Sequence, residues 1–394
     1  MRRYTALFFL IMFMIGTDTF LISPLLPTLQ TQFGVSTGIA GWMLGAYTLG
    51  SALFALIAGP LSDGRNRRTV LLSGLLGFSV STILCGFADS FWTMCLFRFL
   101  AGVSAAFTAP QVWASIPVIM PASRVQKTMG IAFAGLAASQ ALGVPIGSWL
   151  AVAHWSVPFW TIGIASLLLI AVAFFSLPDM KPTTSERTSI LRRYVPLIMS
   201  GKARSGFLAY LILHLGSGTA FAFIGKWMAD RFELPIGQIG TVMMFLGFGT
   251  LLGSMIISYA TRKLGNAIVI VVGMSMLMIL YTVMPNLTNP RFVTIIYLLI
   301  FSTLGIIFPI VMGALTSLNA TIRGTISSLA NSTMNSANTL GAWIAGLLYV
   351  QFGGYSSIGI FSAICLALSL GTFLFGGVLG RKAEHAGQES ASAS

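Results

Sequence analysis

Twelve apolar runs, each close to the length of a bilayer-crossing helix, recur along the chain. They fall at roughly 4–27, 39–61, 69–88, 91–113, 127–151, 157–177, 205–228, 237–260, 266–284, 291–316, 324–350 and 355–379, and about 20 apolar residues span the hydrocarbon core. A run of this kind has few folds open to it. Lipid offers the backbone no hydrogen bonds, so a spanning segment must satisfy its own as a helix or close into a barrel. Strand-like alternation is absent, which argues against the barrel. Of 394 residues, 56% are hydrophobic and 8% charged, against roughly 25% charged in a soluble domain. The expected fold class is an all-α membrane protein of twelve transmembrane helices.

The start, "MRRYTALFFLIMFM", has the basic and apolar regions of a signal peptide. Its apolar run is long, however, and Pro24 and Pro27 follow it rather than a small-residue cleavage site. It is expected to remain as the first span. Cys85, Cys95 and Cys365 lie in apolar runs without metal-ligand spacing, so packing is their expected role.

Twelve spans put both ends of the chain on one side. That side collects 18 of the 22 basic residues, among them Arg2, Arg3, Arg67, Arg68, Arg192, Arg193, Arg262 and Lys263. The opposite loops hold only Arg231 and Arg291, and Arg98 and Lys226 fall within spans. The positive-inside rule then places both termini in the cytoplasm. The net charge of +13 is explained by these loops, and nucleic acid is not an expected partner.

The longest polar connection, 178–204, separates six spans from six. The expected organisation is an N-terminal half 1–177, a cytoplasmic linker 178–204, a C-terminal half 205–380 and a disordered tail 381–394. The halves echo one another weakly: "IGTDTF" at 15–20 against "LGSGTAF" at 215–221, and "ALGVPIGSWL" at 141–150 against "TLGAWIAGLL" at 339–348. Paired halves around a midplane site are a transporter architecture.

The loop after the second run reads "GPLSDGRNRRTVLL", residues 59–72. Gly59, Asp63, Arg67 and Arg68 keep the spacing of the signature loop of the major facilitator superfamily, which this stretch resembles. Gly64 stands where that family has Arg, and Asn66 where it has Gly; Asn tolerates the left-handed turn. The resemblance implies a gate that ties the two halves together on the cytoplasmic side. "LFRFLAGVSAAF" at 96–107 is similar to the Arg-containing motif of proton-coupled members, through Arg98, Gly102, Ala105 and Ala106. "GLAASQALGVPIGSWL" at 135–150 looks like the antiporter helix of exporters, through Gly135, Gly143, Pro145 and Gly147; close packing alone is the plainer account of these glycines. The form "GVPIGSWL" is similar to the bacterial drug and sugar efflux branch.

Asp18 is the one carboxylate deep within a run. A charge at the bilayer centre costs about 2.5–3.5 kcal/mol on insertion scales, so a buried carboxylate calls for a partner or a task. Asp18 lies nine residues before Pro27 and Arg98 eight after Ser90, which puts them about 13 Å and about 12 Å from the same side at 1.5 Å per residue. The two opposite charges are thus expected at one depth. The resemblance implies that spans 1, 4, 7 and 10 line a central cavity, so that Asp18 and Arg98 face one another or the same water there, as a static pair or as a proton site. His214 has a proton affinity suited to a relay, although a lone His in a packed helix is more often structural. Gln111 and Gln140 are candidate cavity residues. So are Asn331, Asn335 and Asn338, part of a polar stripe in the eleventh run that interhelical hydrogen bonding also explains.

These features call for a proton-coupled secondary transporter exporting small organic compounds or drugs from a bacterial cytoplasmic membrane. Its expected partners are a small-molecule substrate, protons and the lipid bilayer. A monomer without cofactor or metal is expected, and no Walker loop or nucleophile constellation points to an enzyme. A sugar or nucleoside exporter and a proton-coupled nutrient importer fit the same fold, and a non-transporting sensor or flippase-like scaffold is a rival of another class.

Overall fold

A computed structural model describes residues 2–62, 65–180, 190–319 and 323–377. Twelve long helices run through the described residues, with no strand among them. The first six are α1 (Arg2–Phe33), α2 (Trp42–Ser62), α3 (Arg67–Cys85), α4 (Phe91–Ile119), α5 (Ala122–Ala138, continued by Val144–Ala153) and α6 (Val157–Ser176). The second six are α7 (Gly201–Ala222, continued by Ile224–Phe232), α8 (Ile236–Leu264), α9 (Asn266–Val283), α10 (Pro290–Thr316), α11 (Arg323–Gln351) and α12 (Tyr355–Phe375). A short linker helix, Ile190–Met199, lies between the two sets.

Eleven of the twelve are apolar enough to cross a membrane on composition alone. The other is α11, whose 29 residues are long enough but carry the serines and asparagines of the polar stripe. Its polar side is not spent on lipid: Ser332 and Thr339 are buried against α2. The first span runs on to Phe33 rather than ending near Pro27, with Pro24 and Pro27 inside it.

Within the N-terminal half, α4 packs on α2 and α3, and α1 on α5 and α6. In the C-terminal half α8 packs on α10, and α12 on α7 and α9. Between halves, α2 meets α11, α5 meets α8, and α1 meets the second part of α7. Small residues set these approaches. A side chain at Gly102 would strike the backbone of Tyr47, which holds α4 against α2. One at Gly41 would strike the Ala342 carbonyl, and one at Gly247 the backbone of Ala141. This is how membrane helices pack closely where lipid supplies no hydrophobic drive between them.

Hydrogen bonds cross between the halves from the loop end opposite the termini to about mid-depth. Trp149 Nε1 donates to the Gly237 carbonyl at 3.1 Å, and Ser23 Oγ to the Phe221 carbonyl at 2.7 Å. The Thr48 and Thr339 hydroxyls lie 2.8 Å apart, and Ser332 Oγ donates to the Ala52 carbonyl at 2.8 Å. On the basic face Tyr194 of the linker helix donates to the Leu56 carbonyl at 3.3 Å. The expected disordered tail 381–394 lies outside the described residues, as does linker segment 181–189.

Candidate functional site

Asp18 and Arg98, placed at one depth by counting, form an ion pair: Arg98 Nη1 donates to Asp18 Oδ2 at 2.7 Å. Both side chains are 0% exposed. Three further groups hold the guanidinium. Its Nη2 donates to the Asp18 carbonyl at 3.2 Å, its Nε to the Met43 carbonyl at 3.4 Å, and it lies 4.5 Å from the Tyr47 ring centre. Tyr47 is steadied in turn by Thr19, whose hydroxyl donates to the Tyr47 hydroxyl at 3.0 Å. The carboxylate is served more sparsely, for Asp18 Oδ1 is buried without a hydrogen-bond partner. The pair therefore sits inside the N-terminal half, among α1, α2 and α4. The position matching Asp18 in the other half is Gly218, which packs on Asn338 of α11.

A narrow crevice with room for about one water lies between the halves. Its walls are Phe20, Gln140 and Val144 from one half and Phe221, Met243, Leu246 and Phe301 from the other. Phe20 meets Phe221 edge to face with ring centres 5.6 Å apart, and Phe221 lies 6.1 Å from Phe301. Helices α1, α7 and α10 contribute to it, and so do α5 and α8. Arg98 of α4 instead approaches α1 from the other side. Phe20, Phe221, Phe301 and Met243 carry no sequence signal; the available hint was that Phe20 lies two positions from the buried charge, on the far side of its helix.

The helix carrying Gln140 is irregular for a local reason. Pro145 has no N–H to continue the ladder, and Ser139–Gly143 form a π turn closed by the Val144 N–H on the Ser139 carbonyl. π turns insert an extra residue and re-aim side chains. Gln140 lies there, accepting from Thr250 Oγ1 across the halves at 3.1 Å. The glycines of this helix form one seam against α1. A side chain at Gly135 would strike the Phe9 carbonyl, one at Gly143 the Thr17 hydroxyl and one at Gly147 the Leu21 side chain.

The signature loop is tied to its own half. Asn66 caps α3, accepting from the Arg68 N–H at 3.1 Å, and its amide donates to Asp179 Oδ1 at 3.1 Å. Arg68 pairs with the same oxygen at 3.0 Å and donates to the Phe174 carbonyl. The Arg67 N–H donates to the Met180 carbonyl at 3.2 Å. Gly59 lies in α2, and Asp63 lies outside the described residues.

The remaining candidates are scattered. Gln111 is buried in α4. His214 is buried between Tyr210 and Phe308, stacked on the latter at 4.5 Å, with Nε2 lacking a hydrogen-bond partner. Asn335 donates to the Asn331 carbonyl and side chain at 2.9 and 2.7 Å, a bond along α11 itself. Among the described residues no cluster has the make-up of a metal site.

Two six-helix halves joined by a linker, with a crevice between them and a charge pair buried in one, define a membrane carrier for small molecules rather than an enzyme. The sequence matches the Major Facilitator Superfamily over residues 8–200 and 206–393, and the chain belongs to that family. It is 48% identical over 365 residues to the uncharacterized MFS-type transporter YceJ of Bacillus subtilis, covering 92% of this chain and 94% of that protein. It is also 29% identical over 203 residues to multidrug resistance protein 1 of Bacillus subtilis, covering 50% of each. A similar solved fold is a bacterial homolog of the human lysosomal transporter Spinster, inward-facing and occupied, with a TM-score of 0.75 at 13% identity over 95% of this chain and 96% of that one.

Proposed function

We propose that this transporter exports small organic compounds, drugs among them, in exchange for protons, across a bacterial cytoplasmic membrane. The observation that carries the reading is the sealed Asp18–Arg98 pair with one carboxylate oxygen unpartnered. A carboxylate held in lipid-embedded protein needs a counter-charge or a proton. Arg98 supplies the first, and a proton arriving at Oδ1 supplies the second and frees Arg98. Such an exchange gives the N-terminal half two states, which a proton gradient biases. The partial likeness to multidrug resistance protein 1 supports export.

The basic loops put both termini in the cytoplasm. With that orientation, crossings on the opposite side support an inward-facing state. The halves 1–177 and 205–380 rock about the linker, the chain acts as a monomer, and Gly59, Asp63, Arg67 and Arg68 form the gate that engages when the cytoplasmic side closes. Proton and substrate each lower the other's affinity.

Everted membrane vesicles acidified inside test the reading. The wild type should accumulate a fluorescent drug, a protonophore should discharge it, and Asp18→Asn should stop gradient-driven uptake while the protein stays folded. Normal uptake by Asp18→Asn would falsify the assignment of the coupling proton to this residue.

A further inference from the structure

The linker helix, Ile190–Met199, reads "ILRRYVPLIM" and has 10 residues, too few to cross a bilayer. At 3.6 residues per turn its positions divide into three sides. One side is spent on the protein: Tyr194 donates to the Leu56 carbonyl of α2, Leu197 is buried, and the helix packs on α7 and α11. The next side carries Val195, Ile198 and Met199, and the last two are 63% and 78% exposed. Positions 192, 193 and 196 take the third side. The depth of this helix is set by α7. Ser200 Oγ accepts from the Ala203 N–H at 3.3 Å, so the chain turns there directly into α7. From Gly201 to Phe232 that span counts 32 residues, about 48 Å at 1.5 Å per residue, against a hydrocarbon core of about 30 Å. The excess leaves the first turn of α7 at headgroup level, where Lys202 and Arg204 are exposed. The linker helix ends at that same level.

We propose that the linker helix is a docking surface for anionic phospholipid on the basic side of the membrane. Val195, Ile198 and Met199 enter the boundary between headgroups and acyl chains, as the apolar face of an interfacial helix does. The segment 190–204 supplies the charge: Arg192, Arg193, Lys202 and Arg204, with no carboxylate among them. Basic residues at a membrane surface favour anionic headgroups, each by about fivefold at most, and the attraction falls off within a Debye length. Lipid suits the exposed side better than a protein partner does, because a protein would have to slip between that side and the headgroups beside it. The helix touches α2 in one half and α7 and α11 in the other, so lipid that holds it bears on both halves at once. None of this depends on the substrate or on the direction of transport.

The test places a bimane label on the full chain at Val195→Cys, Ile198→Cys or Pro196→Cys, one at a time. The proteins are held in nanodiscs of phosphatidylcholine and phosphatidylglycerol. Wild type labelled in parallel gives the background from Cys85, Cys95 and Cys365. Labels at 195 and 198 should be quenched by brominated lipid and shielded from iodide, and the label at 196 should show the reverse. With the bromines on phosphatidylglycerol, quenching at 198 should correspond to a preference of about fivefold over brominated phosphatidylcholine at the same mole fraction. Arg192→Gln with Arg193→Gln should bring that preference near parity, and raised salt should lower it in the wild type. Three results each overturn the proposal. Iodide that reaches 196 and 198 alike makes the apolar side wet. Label at 198 that neither quencher reaches means that protein covers it. Equal quenching by the two brominated lipids removes the anionic preference.

Discussion

Replacing Arg98 by Met removes the only donor to the Asp18 side chain among the described residues: Oδ2 loses its 2.7 Å bond and Oδ1 has none to lose. Stranding one member of a buried pair costs about 3–5 kcal/mol, and Arg98→Met belongs at about 5. Asp18→Asn is milder. Arg98 keeps the carbonyls of residue 18 and Met43 and the Tyr47 ring, so its cost lies near about 3 kcal/mol. The double variant buries no charge, and what remains is an amide short of partners, about 1–3 kcal/mol. The single costs sum to about 8 kcal/mol, so the cycle should miss additivity by about 5–7 kcal/mol. Unfolding free energies of the four proteins in one detergent measure this. Single costs that add within about 0.5 kcal/mol would refute the pairing energetics. The same four proteins in everted vesicles separate brace from proton site. A pair that only braces the fold predicts a stable and active double variant. A pair that couples protons predicts one that is stable and blind to the gradient.

Gly102→Val should lower stability by about 1–3 kcal/mol, because the new side chain strikes the Tyr47 backbone and drives α4 from α2; an unchanged melting temperature in detergent would contradict that approach. Asp179→Asn weakens a half-exposed pair and should cost under about 1 kcal/mol, yet it should shift spin-label distances across the basic face, since Arg68 and Asn66 both hold Asp179. Distances that stay fixed would deny the loop any part in the conformational balance. Asp89 accepts from Thr93 at 2.9 Å just ahead of α4, which holds its carboxyl below the usual range. A lowered folded-state value contributes stability above the unfolded value, about 3.9, that is lost as the pH falls through the folded one. The gap in melting temperature between wild type and Asp89→Asn should therefore narrow on going from neutral pH into that acid range. A gap independent of pH would remove the carboxylate as its cause.

The spans were legible because lipid imposes one rule on every residue of a run, and the shared depth of Asp18 and Arg98 was legible because helix rise converts sequence distance into depth. Depth leaves azimuth open, which is why counting did not reveal that the pair turns into the N-terminal half and away from the crevice. The crevice itself was hidden. The chain has 29 phenylalanines, most of which serve lipid or packing equally well, so Phe20, Phe221 and Phe301 become distinct only when three helices bring them together. Gln140 depended on a π turn, and that irregularity follows from where the bond missing at Pro145 is made up. Asn66 was read as a substitute for a turn residue. Its side chain proves to cap α3 and hold Asp179, a partner 113 positions away that no local pattern announces.

The bonds that join the two halves differ in kind from those inside them. Among the described residues, the ion pairs Asp18–Arg98 and Lys226–Asp230 each lie within one half, and Arg68–Asp179 ties the N-terminal half to the start of the linker. The crossings at Ser23, Thr48, Trp149, Gln140 and Ser332 are neutral hydrogen bonds, set among glycines that let backbones touch. A neutral bond is worth about 0.5–1.5 kcal/mol net, so five of them amount to about 5 kcal/mol. Moving a two-state balance from 1:99 to 99:1 takes about 5.5 kcal/mol. The crossings are thus of the size that a ligand would have to overcome to shift the balance, whereas stranding the single buried pair would cost nearly as much by itself. A buried charge pair braces the N-terminal half, and neutral contacts form the seam between the halves. On the proposed reading a gradient would act on this balance by discharging Asp18, which sits on a helix that also faces the crevice.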